Sequence, residues 1–253
     1  MSHPAIEVHN LRKVYGDVVA VDDLTFTAPA GSTLGLLGGN GAGKTTTISM
    51  LLGLLTPTSG TVRILGEDML HHRYRALPRI NFSSPYVDLP HRLTVRQNLD
   101  VYGRLYGVRD VRARIDRLTG DLDLGVYLDR PFGRLSSGQR TRVNLAKALI
   151  NTPVVLLLDE PTASLDPDTA DWVRSLLERY QKETACTILL ATHNMVEVER
   201  MCSDVVLLQK GRVFDRGSPR QLIERFGRSN MEEVFLDMAR GRERRLDELR
   251  KVS

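Results

Sequence analysis

An apolar run at residues 33–37 passes directly into Gly38-Gly39-Asn40-Gly41-Ala42-Gly43-Lys44-Thr45, and a helical pattern begins at once behind it. This junction constrains the fold more than any other stretch of the chain. Glycines at 38, 39, 41 and 43 let the backbone curl so that successive N–H groups point inward, and the following helix adds the positive end of its dipole. Such a cradle suits phosphate oxygens. The spacing G-x-x-x-x-G-K-[ST] brings Lys44 to the outer phosphates and the Thr45 hydroxyl to Mg²⁺, with Thr46 beside it on the phosphate side. The bland alternative is a glycine-rich turn capped by Thr45 with Lys44 in solvent; the strand before the loop and the helix after it argue against that.

The rest of the chain repeats the pattern. Apolar runs at 6–8, 154–158, 188–191 and 205–208 read as strands, and 45–55, 138–150, 168–182 and 195–201 read as helices. Buried apolar strands alternating with helices predict an α/β core with a mostly parallel sheet. Lys210-Gly211, between two apolar runs, predicts a hairpin. Residues 71–134 differ: after Ile80-Asn81-Phe82 no strong strand run appears, and Val95, Leu99, Tyr102 and Leu105-Tyr106 follow helical spacing, so a helical insertion is expected there. With 253 residues, 42% of them apolar, the chain can bury a real core, which excludes a disordered chain. The longest strongly apolar run, 154–158, is far too short to cross a bilayer, and the first ten residues carry no apolar signal core. Cys186 and Cys202 form no C-x-x-C pair, which fits buried thiols and excludes a cysteine-based metal site.

A second chemical element ends the run at 154–158. Asp159 and Glu160 follow it directly, and the C-terminal edge of a central strand is where ligands bind in open α/β sheets. Asp159 is placed to hold Mg²⁺ through water and Glu160 to polarise an attacking water. Either carboxylate could instead cap the turn at Pro161-Thr162, a reading the phosphate loop upstream argues against. Together with the phosphate loop, the pair indicates a nucleotide triphosphatase.

Between these elements lies Leu135-Ser136-Ser137-Gly138-Gln139, at the start of a helix. Alone it reads as a serine helix cap. In this position it resembles the L-S-G-G-Q signature of the ATP-binding cassette family, with Ser137 at the third place. The resemblance spans residues 6–217 and implies a P-loop NTPase core with a mostly parallel sheet, an N-terminal antiparallel β portion and an inserted α-helical subdomain. It further implies that Ser136, Gly138 and Gln139 bind the γ-phosphate of ATP held by a second copy of the cassette. Tyr15 matches the aromatic that stacks on adenine, and otherwise reads as a half-buried strand tyrosine. Ser164-Leu165-Asp166 matches the loop that communicates across the dimer, while Asp166-Pro167 also reads as a helix N-cap. His193 matches the switch histidine at the γ-phosphate. The implied cofactors are ATP and Mg²⁺, and Glu160, His193 and Lys44 are the candidate catalytic residues. The implied partners are a second cassette and a separate transmembrane permease, with no nucleic acid, on the inner face of the cell membrane.

The sequence departs from the family pattern where a glutamine usually senses Mg²⁺ and water. Counting back from Leu93 puts Ser84 or Pro85 there, with Asn81 and Ser83 as other polar candidates. Gly39 also replaces a common proline. The expected division is an ATPase unit at 1–220, with helices at about 86–150 inserted, and a short helical basic tail at 221–253. Met231-Glu232-Glu233-Val234 resembles the short C-terminal helix of drug, lipid or polysaccharide exporter cassettes, whereas importers often carry a longer β-rich domain. A soluble cassette ATPase acting on nucleic acid or ribosomes is the alternative, and a weakly hydrolysing regulatory cassette is another. Charge bears on this choice: residues 71–117 hold ten Arg and four Asp, a local +6, and 239–253 carry +3, so the overall +4 leaves −5 elsewhere. The arginine segment is expected to dock on the membrane partner.

Overall fold

The computed structural model describes residues 4–84, 88–163 and 165–239. Two long strands, β1 (Pro4–Tyr15) and β2 (Val18–Pro29), precede β3 (Thr33–Gly38) and helix α1 (Lys44–Leu51). Short strands β4 (Ser59–Ile64) and β5 (Glu67–Asp68), the one-turn helix α2 (Arg73–Ala76) and β6 (Ile80–Ser83) follow. Helices α3 (Val95–Leu105), α4 (Val111–Asp121) and α5 (Ser137–Leu149) then lead to β7 (Val155–Asp159), α6 (Pro167–Thr184), β8 (Thr187–Thr192) and α7 (Met195–Met201). The described part closes with β9 (Asp204–Gln209), β10 (Arg212–Gly217), α8 (Pro219–Phe226) and α9 (Met231–Ala239).

The strands form two sheets. One has the order β10-β9-β3-β8-β7-β6 and is parallel apart from β10; the other is antiparallel, β2-β1-β4-β5. Continuous apolar runs suit the central strands because both faces are covered. Val155 and Leu157 point into a core shared with the antiparallel sheet and α1, whereas Leu156 and Leu158 point into a core shared with helices α3 to α7. β8 and β9 divide in the same way, Leu189 and Val206 to the first core, Leu190 and Val205 to the second. Burying each such side chain stabilises by about 1.5–3 kcal/mol, so the sheet holds the ends of β3, β7 and β8 in fixed register.

Several boundaries differ from the sequence reading for identifiable reasons. Expected as residues 6–8, β1 runs over 12 residues, and β2 carried no clean signal. Register shifts around Asn10, itself at φ 47°, break the alternation along this pair. Helix α1 stops at Leu51 instead of 55, because Gly53 adopts φ 66° and turns the chain away. Its Thr45-Thr46-Thr47 start is β-branched and poor for a helix, so burial of Ile48, Met50 and Leu51 holds it in place. On α3, Val95 and Leu99 are buried as spaced, while Leu105 is 74% exposed and leaves the stripe to Tyr102 and Tyr106. Lys210 and Gly211, at φ 49° and 79°, make the hairpin turn between β9 and β10. Among the described residues no helix is long and apolar enough to cross a membrane.

Candidate functional site

The phosphate loop leaves β3 at the centre of the parallel sheet. A Cβ on Gly38 would lie 2.7 Å from both Ala42 Cβ and the Leu208 carbonyl oxygen, and Gly43, at φ 101°, would meet the Ala20 carbonyl at 2.8 Å. These two glycines are fixed by packing. Gly39 and Gly41 instead face open space, so glycine in place of the common proline at 39 disturbs no neighbour. The β9–β10 turn braces the loop from below, with Gly211 N donating to the Ala42 carbonyl at 3.1 Å. No side chain caps α1 and its first turn holds no acidic residue, which leaves the helix N-terminus suited to an anion. Asn40 lies exposed at the loop tip and Thr46 is half-buried on α1. Lys44 is 8% exposed, and its Nζ donates to the carbonyl oxygens of Gly38 at 2.5 Å and Gly39 at 3.4 Å.

Register delivers the acidic pair to the same edge. β8 lies between β3 and β7, so loop, histidine and carboxylates emerge from adjacent strands. Thr45 Oγ1 stands 3.4 Å from Asp159 Oδ2. Burial pushes the Asp159 carboxyl above its usual range, and the neighbouring Glu160 charge adds to this, while Lys44 and Thr45 pull it down. A cation at these oxygens would relieve that cost. No group of three His, Cys, Asp or Glu side chains among the described residues is arranged to hold a metal alone. A hydroxyl and one or two carboxylates nevertheless fit Mg²⁺, which keeps waters and takes further oxygens from substrate phosphates.

Glu160 follows β7 at φ 51°, its N–H donating to the Ala191 carbonyl of β8 at 2.8 Å. That turn swings its side chain toward the end of β8, where His193 Nδ1 is 2.7 Å from Glu160 Oε1 and Thr192 Oγ1 is 3.4 Å from Oε2. An ionised carboxylate only accepts, so Nδ1 carries the proton in this pairing and Nε2 is left to act outward. The His193 side chain is 64% exposed, that of Glu160 14%.

The remaining candidates are spread apart. Ser136 caps α5 and forms a reciprocal box with Gln139: Gln139 N donates to Ser136 Oγ at 3.3 Å, and Ser136 N to Gln139 Oε1 at 3.1 Å. A Cβ on Gly138 would lie 3.6 Å from Thr169 Oγ1 of α6. Asp166 caps α6 by accepting from Thr169 N at 2.9 Å, which lowers its pKa. The hydrogen bonds of Ser136, Gln139 and Asp166 stay within their own helix caps and do not reach the phosphate loop. Tyr15, at the end of β1, is half exposed with Lys13 Nζ 4.9 Å over its ring. Ser164, expected in a loop that communicates across the dimer, and Pro85, one of the two residues expected at the usual glutamine place, lie outside the described residues.

Two features escaped the sequence reading. Asn81, one of the polar candidates for sensing, is turned away from the site: its amide donates to the Lys147 carbonyl and to Asn151 Oδ1, and its oxygen accepts from Lys147 Nζ and the Tyr106 hydroxyl. Burial pushes the Lys147 ammonium down to about 8. Ser83 and Ser84 instead line a cavity of about 30 Å³ with Glu160, Thr141 and Asn144, large enough for one water. The second feature is Glu197, 1% exposed on α7, which accepts from the Thr162 hydroxyl. No motif flagged it, because its partner lies 35 residues away.

A glycine cradle on a central parallel strand, flanked by a carboxylate pair on the second strand over, defines a P-loop nucleotide triphosphatase. The ABC transporter family profile matches residues 21–163, more than half of the chain, and the chain belongs to that family. It is 39% identical over 242 residues to the Nod factor export ATP-binding protein I of Ralstonia nicotianae, covering 93% of this chain and 74% of that protein. A solved ATP-binding subunit of an ABC transporter matches with a TM-score of 0.84 and 26% identity, over 93% of this chain and 99% of its own. The dimeric cassette MJ0796, in a post-hydrolysis state bound to ADP and Pi, shares the fold with a TM-score of 0.77 at 23% identity, over 84% of this chain and 98% of its own.

Proposed function

We propose that this chain is the ATP-hydrolysing subunit of an exporter, working as a pair of cassettes on a separate transmembrane permease at the inner face of the membrane. The observation that carries the reading is the 2.7 Å contact of His193 with Glu160 at the end of the strand beside the phosphate loop. The homologue that names an export ATP-binding protein supports the direction of transport. On this reading residues 1–220 are the ATPase unit, with the helices of about 86–150 inserted, and 221–253 an appendage; of the latter, 240–253 lie outside the described residues.

Each side chain then has one task. Backbone N–H groups of residues 39–44 and the Lys44 ammonium bind the β- and γ-phosphates, Lys44 leaving the Gly38 carbonyl to do so. Tyr15 offers its open face to adenine. Thr45 and Asp159 would hold Mg²⁺, which neutralises charge on the phosphate oxygens. Glu160 accepts the proton of the water attacking the γ-phosphorus as ADP leaves, and His193 keeps that carboxylate aimed through Nδ1 and, with Nε2 also protonated, donates from it to the γ-phosphate. Ser136, Gly138 and Gln139 bind the γ-phosphate of the opposite cassette, with Asp166 at the same seam. Binding of ATP at both seams closes the pair and hydrolysis reopens it. Purified chain with Mg²⁺ and ATP is expected to release phosphate, and under blocked turnover to shift from monomer to dimer mass in light scattering. Absence of phosphate release, or a monomer at saturating ATP, would remove this reading.

The arginine segment is less free than its net charge implies. Arg75 pairs with Glu67, Arg96 with Asp129, Arg104 with Asp100 and Arg117 with Asp121, while Arg114 holds the Leu149 and Ile150 carbonyls. That pairing weakens the case for nucleic acid. Arg96 and Arg104 also line an open groove with Leu93, Val101 and Ile115, the face proposed to receive the permease. Reversing both charges is expected to cut co-purification of the permease by about tenfold with ATP affinity unchanged; full recovery of the complex would place the docking face elsewhere.

A further inference from the structure

The turn after β7 and the loop after β8 both carry residues of the proposed reaction, yet each is short and partly open to solvent. Glu160 and His193 touch each other, but their side chains alone do not fix the backbone that bears them. Behind them lies a carboxylate that no step of the reaction uses. Glu197 sits on the first turn of α7 and is 1% exposed. Its Oε1 accepts from the hydroxyl of Thr162, two residues after Glu160. Burial pushes its pKa up, and the hydroxyls of Thr162 and of Thr192, the residue before His193, oppose that rise. Arg174 of α6, 9% exposed, contributes a positive charge from the third side. Among the described residues Glu197 Oε2 and Arg174 Nε have no hydrogen-bond partner of their own, so the group is retained despite an incompletely satisfied buried site.

We propose that Glu197 is a positioning residue for ATP hydrolysis: its buried carboxylate ties the turn that carries Glu160 to the loop that carries His193, so that base and switch histidine are held as one unit. The connection runs through Thr162 on one side and, on the other, through α7 itself, which follows His193 directly and carries Glu197 in its first turn. Thr192 is fully buried, and its oxygen accepts from Asn194 N at 3.0 Å while lying 3.4 Å from Glu160 Oε2. One hydroxyl thus joins Glu160 to the root of α7. Loss of the carboxylate frees both segments to shift, and a displacement of about 1 Å at the reacting groups costs on the order of 100-fold in rate. The phosphate loop, on β3, takes no part in this tie.

The inference rests on the hydrolytic reading of the site, and steady-state ATPase kinetics separate the two. Wild type, Glu197→Ala, Glu197→Gln and Thr162→Val are compared in the full chain, with circular dichroism and thermal unfolding as checks on folding. Glu197→Ala is expected to lower kcat by about 10–100-fold with KM for ATP within twofold of wild type. Glu197→Gln keeps an oxygen for Thr162 and the same shape, and is expected to recover kcat to within about threefold. Thr162→Val removes the same bond from the other side without opening a cavity, and stands in for the alanine variant should that one not fold. A wild-type kcat in Glu197→Ala or, in its stead, Thr162→Val, a parallel rise in KM, or a glutamine variant no better than alanine overturns the positioning role. A wild type that releases no phosphate overturns the hydrolytic reading, and this inference with it.

Discussion

Replacing Glu160 by glutamine is expected to reduce phosphate release by about 10²–10⁴-fold, the range for losing a general base, while ATP still binds and the closed pair of cassettes accumulates. Geometry makes this substitution clean. The amide oxygen still accepts from His193 Nδ1, now 2.7 Å from Glu160 Oε1, and the half-buried setting of the side chain is unchanged. Only the ability to take a proton is lost. Single-turnover phosphate release and the mass of the ATP complex measure the two halves of this expectation independently. Undiminished release would show that another group takes the proton, and loss of the dimer would show that Glu160 acts in assembly.

Lys44→Ala is expected to act one step earlier. In the structure the ammonium is satisfied by the carbonyls of Gly38 and Gly39, so phosphate binding exchanges neutral partners for charged oxygens. Hydrogen bonds to charged groups contribute about 1.5–3 kcal/mol each, which converts to a rise of about 10–150-fold in Kd for ATP. Turnover should fall below detection. Thermal unfolding with and without ATP checks this: the upward shift of Tm that ligand binding gives wild type should vanish in the variant, while its ligand-free Tm stays close to that of wild type. An unchanged ATP affinity would mean that the backbone cradle alone holds the phosphates.

The candidate site was legible in the sequence where its motifs are local. Gly38 to Thr45, Asp159-Glu160 and Ser136 to Gln139 are contiguous, and each sits on a strand end or helix start that its own composition announces. The central strands were legible for the same reason, since a strand covered on both faces is apolar throughout. What escaped is non-local. Nothing in the sequence pairs Thr162 with Glu197 or Asn81 with Lys147, because such contacts span 35 and 66 residues and obey no period. β2 was hidden by Asp22 and Asp23 within it and by the irregular register along β1. The net charge of the basic segment overstates its free charge, because a count over residues 71–117 leaves out partners just beyond it, such as Asp121 and Asp129. Counting places Ser84 or Pro85 where the glutamine is usually found and leaves Asn81 and Ser83 as other polar candidates; side-chain direction separates Asn81 from the two serines.

The backbone at Glu160 bears on how this cassette would respond to laboratory evolution. A φ of 51° costs a residue with a side chain about 1–2 kcal/mol relative to glycine, and asparagine tolerates it nearly as well. Durability and turnover therefore pull position 160 in opposite directions. A library sorted only for heat resistance would enrich Gly or Asn there and fill with sturdy, inert cassettes, so any campaign to harden this scaffold has to sort on ATP consumption in the same round.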